Sequence, residues 1–207
     1  MKNQVKGFTL IELLIVIGII AILATVVILT LNPAELLRQA RDSTRTSDFA
    51  TLKSALSLYG ADVSVPYYGS SSASGVCYIS IASDAAATVA RPPITNCGGR
   101  FAATITVVAS TTEALKRSTG VAGASSGNGW IPVNLTQISS GAPISAYPVD
   151  PVSPNSSSSY YAYATDGSGG FEINTRLEST KFASSSENDG GTSNTLYEAG
   201  TQPGLNL

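Results

Sequence analysis

Residues 8–31 read FTLIELLIVIGIIAILATVVILTL, an apolar run in which Glu12 is the only charged residue. As an α-helix rising about 1.5 Å per residue, this run exceeds the roughly 30 Å hydrocarbon core of a bilayer. The preceding MKNQVKG carries Lys2 and Lys6 and no acid, so the positive-inside bias keeps the N-terminus in the cytoplasm. The sequence therefore predicts one membrane span with the rest of the chain outside.

A secretory signal peptide or a signal anchor is the alternative interpretation of this run. The apolar region of a signal peptide is about 7 to 15 residues long and ends at a small-residue cleavage site. Residues 8–31 are longer, and only Ala21 and Ala24 lie near such a site. A carboxylate in hydrocarbon costs on the order of a few kcal/mol unless it is paired. We therefore expect a partner for Glu12, the alternative being that its side chain snorkels to the interface.

The segment KGFTLIELLIVIGIIAILA, residues 6–24, resembles the class III signal and N-terminal helix of type IV prepilins and pseudopilins. The resemblance implies that a membrane-embedded prepilin peptidase cuts after Gly7 and then N-methylates Phe8. It also implies that Glu12, the fifth residue of the mature chain, pairs with the N-terminal amine of a neighbouring subunit. The implied partners are copies of this chain in a helical filament, the peptidase and the inner-membrane assembly machinery.

Asn32 and Pro33 stand where the apolar run ends. Asn32 suits a helix N-cap, Pro33 the first helical position, and Glu35 the third position after the cap. The alternative, which we favour, is a single helix disturbed at Asn32 and Pro33. Gly60 fits the residue that follows a helix end.

Residues 34–59 have the spacing of an amphipathic helix. One stripe is apolar and is expected to pack on a globular head: Phe49, Leu52, Leu56 and Tyr59. The other face is polar: Arg38, Arg41, Asp42, Arg45 and Asp48. We expect this polar face either to be solvated or to contact neighbouring subunits.

Beyond residue 60 the chain is rich in Ser, Gly, Ala and Thr, with four short apolar runs that predict strands. These runs are residues 76–82, 101–109, 160–165 and 170–177, the last two forming a predicted β-hairpin. A small antiparallel sheet packed on the amphipathic helix gives an α+β fold, the lollipop of pilins. Residues 130–180 loosely resemble the C-terminal half of pseudopilins and pilins, mainly at Trp130 and at the Pro148–Pro151 turn.

Cys77 and Cys97 suit one disulfide in an oxidising compartment. The bond would close a loop of about 20 residues and stabilise the fold by about 3 kcal/mol in the chain-entropy model. The alternative is two free buried thiols.

Composition excludes several functional classes. A net charge of −2 and a pI near 5.1 provide no basic surface for nucleic acid. The absence of histidine excludes histidine-dependent catalytic triads and removes the commonest zinc ligand. Residues 123–127, GASSG, match the G-x-S-x-G nucleophile motif only formally, because they form a Ser/Gly loop in a chain without histidine. We therefore predict no enzymatic activity.

Four acids in predicted loops are the candidate metal ligands: Asp150, Asp166, Glu187 and Asp189. Major pseudopilins have a calcium site in this part of the head, and the resemblance makes Ca²⁺ an alternative here. No dense D-x-D-x-D-G run is present, and acids in loops are commonly explained by turn chemistry. We expect no cofactor.

The predicted organisation has four parts: a cytoplasmic leader at 1–7, a transmembrane assembly helix at 8–31, an amphipathic helix at 32–59, and a β-rich head with a loop-rich tail at 60–207. The predicted protein is an inner-membrane precursor whose mature form is a subunit of a type IV pilus-like filament, extracellular or periplasmic once assembled. Two alternatives stay open. One is a pseudopilin of a type II secretion system, and the other is a signal-anchored monomeric binding domain outside the cytoplasm.

Overall fold

The computed structural model describes residues 7–69, 76–81, 106–109, 129–152, 159–202 and 204. The chain divides into two compact units, Met1–Arg38 and Gln39–Leu207. The helices are α1 (Leu10–Leu31) and α2 (Pro33–Asp62), with single 3-10 turns at Leu135–Gln137 and Ala183–Ser185. The strands are β1 (Val76–Ile79), β2 (Thr106–Ala109), β3 (Ala162–Thr165), β4 (Phe171–Thr175) and β5 (Tyr197–Gly200).

The helical part of the chain is interrupted at Asn32, where a disturbance is predicted. Asn32 is left-handed, with φ of 40°, a conformation that Asn tolerates better than most residues. Pro33 then begins α2, because its missing N–H is not needed in a first helical turn. At the other end, α2 runs through Gly60 to Asp62. The prediction that α2 ends before Gly60 was wrong. An added Cβ at Gly60 would meet the Tyr68 hydroxyl, so a larger residue there would require Tyr68 to shift.

The five strands form one sheet in the order β2-β1-β3-β4-β5. β1 with β3, β3 with β4, and β4 with β5 are antiparallel, so the predicted α+β class with a small antiparallel sheet is confirmed. β2 departs from that prediction because it lies parallel to β1. A parallel pair needs a crossover of a dozen or more residues, and residues 80–105 supply that length.

The predicted hairpin is β3 and β4. Its turn is held by Asp166, whose Oδ1 accepts from the backbone N–H of Ser168 (2.6 Å) and of Gly170 (2.9 Å). The Thr165 hydroxyl donates to the Gly170 carbonyl at 2.9 Å. Gly167 and Gly169 both have positive φ, which explains why glycine occupies these turn positions.

The core of the second unit is built on the predicted apolar stripe of α2. Its four members are buried, with at most 1% exposure: Phe49, Leu52, Leu56 and Tyr59. Phe49 meets Tyr161 edge-on, with ring centroids 5.0 Å apart. Trp130, also 1% exposed, donates its indole N–H to the Pro148 carbonyl at 2.9 Å. The burial of this helix face against the aromatic side chains stabilises the head.

The predicted polar face of α2 is only partly solvated. The Arg38 side chain is 51% exposed, whereas Asp42 and Arg45 are 0% exposed. Asp48 is half-buried and accepts a hydrogen bond of 2.7 Å from the Tyr161 hydroxyl. The prediction was wrong for Asp42 and Arg45, because their charges are satisfied inside the head by each other and by groups from distant parts of the chain.

Arg45 is the centre of this buried cluster. Its guanidinium contacts Asp42 Oδ1 (2.7 Å), Asp150 Oδ2 (2.7 Å) and the carboxylate of Glu178. Asp42 also accepts from the backbone N–H of Ser179 at 2.7 Å. Burial by itself lowers the pKa of Arg45, but the hydrogen bonds and charges of the three acids outweigh that effect and raise the pKa above its ordinary value. Arg45 therefore stays charged and joins α2 to two distant segments.

We expect Arg45→Ala to lower the free energy of unfolding by about 3 to 5 kcal/mol, because it leaves buried carboxylates without their cation. The measurement is urea unfolding of the full chain in detergent, followed by the fluorescence of Trp130, the single tryptophan. The control is Arg38→Ala, whose side chain is 51% exposed and should contribute less than about 0.5 kcal/mol. Equal effects of the two variants would contradict a structural role for the buried cluster.

Candidate assembly site at the start of the N-terminal helix

The start of α1 is defined by a capping box. Thr9 is the N-cap residue, with an extended backbone (φ −83°, ψ 154°). Its Oγ1 accepts from the Glu12 backbone N–H at 3.3 Å. The Glu12 carboxylate in turn accepts from the Thr9 backbone N–H at 2.8 Å. Two backbone donors that a helix start normally leaves without partners are satisfied reciprocally.

Glu12 therefore has a partner within its own chain. Its Oε2 takes two hydrogen bonds, one from the Thr9 N–H and one from the Thr9 hydroxyl (2.7 Å). Within the described part of the chain, Oε1 accepts none. The carboxylate also lies in the first turn of α1, where the positive end of the helix dipole favours an anion. Thr9 thus holds the Glu12 carboxylate by Oε2, and Oε1 is left for a second donor.

The rest of α1 has the properties of a helix built for an apolar environment. Residues Leu10–Ile28 are long and apolar enough to cross a membrane, and they are not buried by the protein itself. The Thr25 hydroxyl donates to the Ala21 carbonyl (2.9 Å) and the Thr30 hydroxyl to the Val26 carbonyl (3.1 Å). These hydroxyls are satisfied inside the helix, and Glu12 is the one charged residue of α1.

Small residues interrupt the apolar surface of α1 at Gly18, Ala21 and Ala24. A Cβ added at Gly18 would meet no atom within 4 Å, so nothing in this structure requires glycine there. Such small residues permit close approach of a second helix in membranes.

The predicted cleavage site directly precedes the capped helix. Gly7 and Phe8 are outside α1, and the Phe8 side chain is 85% exposed. A Cβ at Gly7 would also meet open space. Both residues are accessible. In the sequence they precede Glu12 by five and four residues. Residues 1–6, the remainder of the predicted leader, lie outside the described residues.

The candidate calcium ligands have other contacts. Asp150 binds Arg45, Asp166 holds the hairpin turn, and Asp189 accepts from the backbone N–H of Glu198 at 2.6 Å. Glu187 is exposed. Among the described residues, no group of three or more acidic, histidine or cysteine side chains could hold a metal ion. Calcium binding at these four positions stays the alternative to the expectation of no cofactor.

The structure describes one of the two cysteines of the predicted disulfide. Cys77 is fully buried on β1. Cys97 lies outside the described residues, so the pairing stays a prediction.

The role of Thr9 was not predicted. An external partner was expected for Glu12, whereas Thr9 is its partner in this single chain. The signal was available, because Thr9 and Glu12 have the spacing of a capping box directly before an apolar run.

Comparison with known proteins supports the N-terminal part of this account. Residues 2–28 match the family model of the prokaryotic N-terminal methylation motif. That motif is the class III prepilin signal of the type IV pilin and pseudopilin family, so the recognition made from residues 6–24 is confirmed. The motif and the apolar helix fit a membrane-anchored, pilin-like precursor. No curated protein and no solved structure matches the chain.

We expect Thr9→Val to weaken the start of α1 by about 1 kcal/mol, because valine keeps the shape of threonine but lacks its hydroxyl. Hydrogen exchange of the Glu12 amide, measured by NMR on the full chain in detergent, should become about fivefold faster. Thr9→Ser keeps the hydroxyl and is the matched control. If the valine and serine variants exchange at the same rate, the capping box does not stabilise this helix start.

Proposed function

We propose that the mature chain is a structural subunit of a type IV pilus-like filament. A prepilin peptidase cuts the precursor after Gly7 and methylates Phe8, and the subunit then assembles through α1. The observation that carries this proposal is the methylation motif at residues 2–28, which supports a pilin-like or pseudopilin precursor. Two observations support the proposal. The Gly7–Phe8 bond is accessible, as cleavage requires, and the Glu12 carboxylate is held at the start of α1, as pairing with a neighbour requires.

Cleavage creates the charge that Glu12 is proposed to bind. Hydrolysis of the Gly7–Phe8 amide leaves a carboxylate on Gly7 and an amine on Phe8, and the amine is protonated at neutral pH. The precursor has no ammonium group at Phe8, so an uncut neighbour cannot supply the partner. Processing would therefore control docking directly.

The pairing selects one register between neighbouring subunits. A buried carboxylate and a buried ammonium are each unfavourable alone, but they attract strongly where the dielectric constant is low. In this chain Thr9 holds Glu12 by Oε2, which leaves Oε1 for the Phe8 amine of a neighbour. The charge pair sets the position of docking, and the exposed apolar surface of α1 supplies the remaining contact area.

Packing between α1 helices would use the small residues of that surface. Helices leaving lipid gain little from hydrophobic burial, so close backbone approach and van der Waals contact matter more. Gly18, Ala21 and Ala24 permit such an approach. The proposed partners are further copies of this chain, the peptidase and the inner-membrane assembly machinery, with the filament outside the inner membrane.

Two other assignments predict different observations. A pseudopilin of a type II secretion system would assemble in the same way, but its fibre would stay in the periplasm and would not be released by shearing. A signal-anchored monomeric binding domain would need neither cleavage after Gly7 nor the charge of Glu12.

We expect Glu12→Gln to reduce filaments at least about tenfold, because the loss of one buried charge pair at each docking step corresponds to 1.4 kcal/mol or more. The uncharged variant should still enter the membrane at wild-type levels. The measurement compares the chain in sheared or sedimented filaments with the chain in the membrane fraction.

Glu35→Gln is the matched control. Glu35 is an acid in the first turn of α2, as Glu12 is in α1, but it lies beyond the apolar run. This variant should assemble normally. If Glu12→Gln gives wild-type amounts of filament, the charge pair does not have the proposed role in docking.

A further inference from the structure

The sheet of the head has an edge at β5, the last of the described strands in the order β2-β1-β3-β4-β5. β5 pairs with β4 on one side only. The outer side of an edge strand has backbone N–H and C=O groups that can pair with a strand of another chain. Whatever covers the outer side of β5 therefore decides whether two heads can associate through it.

The backbone N–H of Glu198 points to this outer side. Thr201, just after β5, donates its own N–H to the Phe171 carbonyl of β4 at 3.1 Å. N–H groups alternate in direction along a strand, so that of Glu198, three residues earlier, points away from β4. Its acceptor is Asp189 Oδ2 at 2.6 Å. The Asp189 carboxylate thus occupies the position at which a carbonyl of a sixth strand would bond.

Asp189 belongs to a short segment, residues 188–193, which we call the edge strap. Asp189 Oδ1 accepts from the backbone N–H of Gly191 at 2.8 Å, which closes a tight turn. At the end of the edge strap, the backbone N–H of Ser193 donates to Glu198 Oε2 at 2.7 Å. Between these bonds, an added Cβ at Gly191 would meet the Glu198 carboxylate, so the backbone passes close to β5. The edge strap is held on β5 at two points, and both lie at Glu198.

The side of the edge strap that faces α2 is open. A groove of about 550 Å³ lies there, lined by Asn188 and Asp189 on one side and by Phe49 and Lys53 on the other. Asn188 bonds back to the Ser184 carbonyl at 2.7 Å rather than to the helix. The hydrogen bonds to Glu198 are therefore the contacts that fix the edge strap on β5.

We propose that the edge strap keeps β5 closed to strand pairing by a second copy of this chain, and that Asp189 is the residue that closes it. A second copy is the partner that fits, because two identical strand edges can form an antiparallel ladder about a twofold axis. A carboxylate at the edge prevents this pairing, since it takes the N–H that the ladder needs and places a charge where the second strand would lie. This role does not depend on filament assembly.

Asp189→Ala tests the edge strap through hydrogen exchange of the Glu198 amide, measured by NMR on the full chain in detergent. At low protein concentration this amide should exchange at least about tenfold faster than in the wild type, because it loses a charged acceptor. Over about a hundredfold increase in protein concentration, the exchange should slow again toward the wild-type rate, because a second copy then supplies an acceptor. The wild-type rate should not depend on concentration.

Glu187→Ala is the matched control, because Glu187 is an exposed acid two residues before Asp189. This variant should keep the wild-type exchange rate at every concentration. A wild-type rate in Asp189→Ala would overturn the role of Asp189, and a fast rate that is the same at every concentration would overturn the pairing with a second copy.

If Asp189→Ala does not fold, as judged by Trp130 fluorescence, the wild-type chain provides a second measurement. Its Glu198 amide should exchange within about tenfold of the Ala199 amide, which faces β4. Exchange of the Glu198 amide as fast as in an unstructured peptide would reject the proposal.

Discussion

The head depends on one buried cation. Arg45 lies at 0% exposure with Asp42, Asp150 and Glu178 around its guanidinium. Through these acids, α2 is joined to the turn after Pro148 and to the segment that follows β4. Apolar packing around Phe49 supplies the bulk of the stabilisation, but it is not directional. The charged cluster fixes which loops meet the helix and where. It is costly to break because Asp42 and Asp150 would be left buried without their cation.

Charge is handled differently at Arg45 and at Glu12. Arg45 has full compensation within the head. Glu12 is held by Thr9 through one oxygen only, so its compensation within the single chain is partial. A group with partial compensation is suited to binding a partner that arrives later, as the proposed pairing of Glu12 with a neighbouring subunit requires.

The sequence was most informative where the pattern was long or strictly periodic. The N-terminal motif, the apolar stripe of α2 and the β3–β4 hairpin could all be predicted, because each is a local pattern with a single physical interpretation. The burial of Asp42 and Arg45 could not be predicted. The groups that bury them, at Asp150 and at Glu178, are more than a hundred residues away, and the same spacing describes a solvated helix face. β5 was missed because Tyr197–Gly200 lacks an apolar run and is a strand only by pairing with β4. Thr9 was missed although the capping-box spacing was present.

The central claim, that this precursor becomes a filament subunit, is tested most directly at its N-terminus. The measurement is the intact mass and N-terminal sequence of the chain from membranes of cells with and without a prepilin peptidase. The account predicts a mature chain that begins at methylated Phe8 only when the peptidase is present, with Met1–Gly7 retained in its absence. Retention of Met1–Gly7 in both strains, or cleavage near Ala24, would contradict it and leave a tethered or secreted domain.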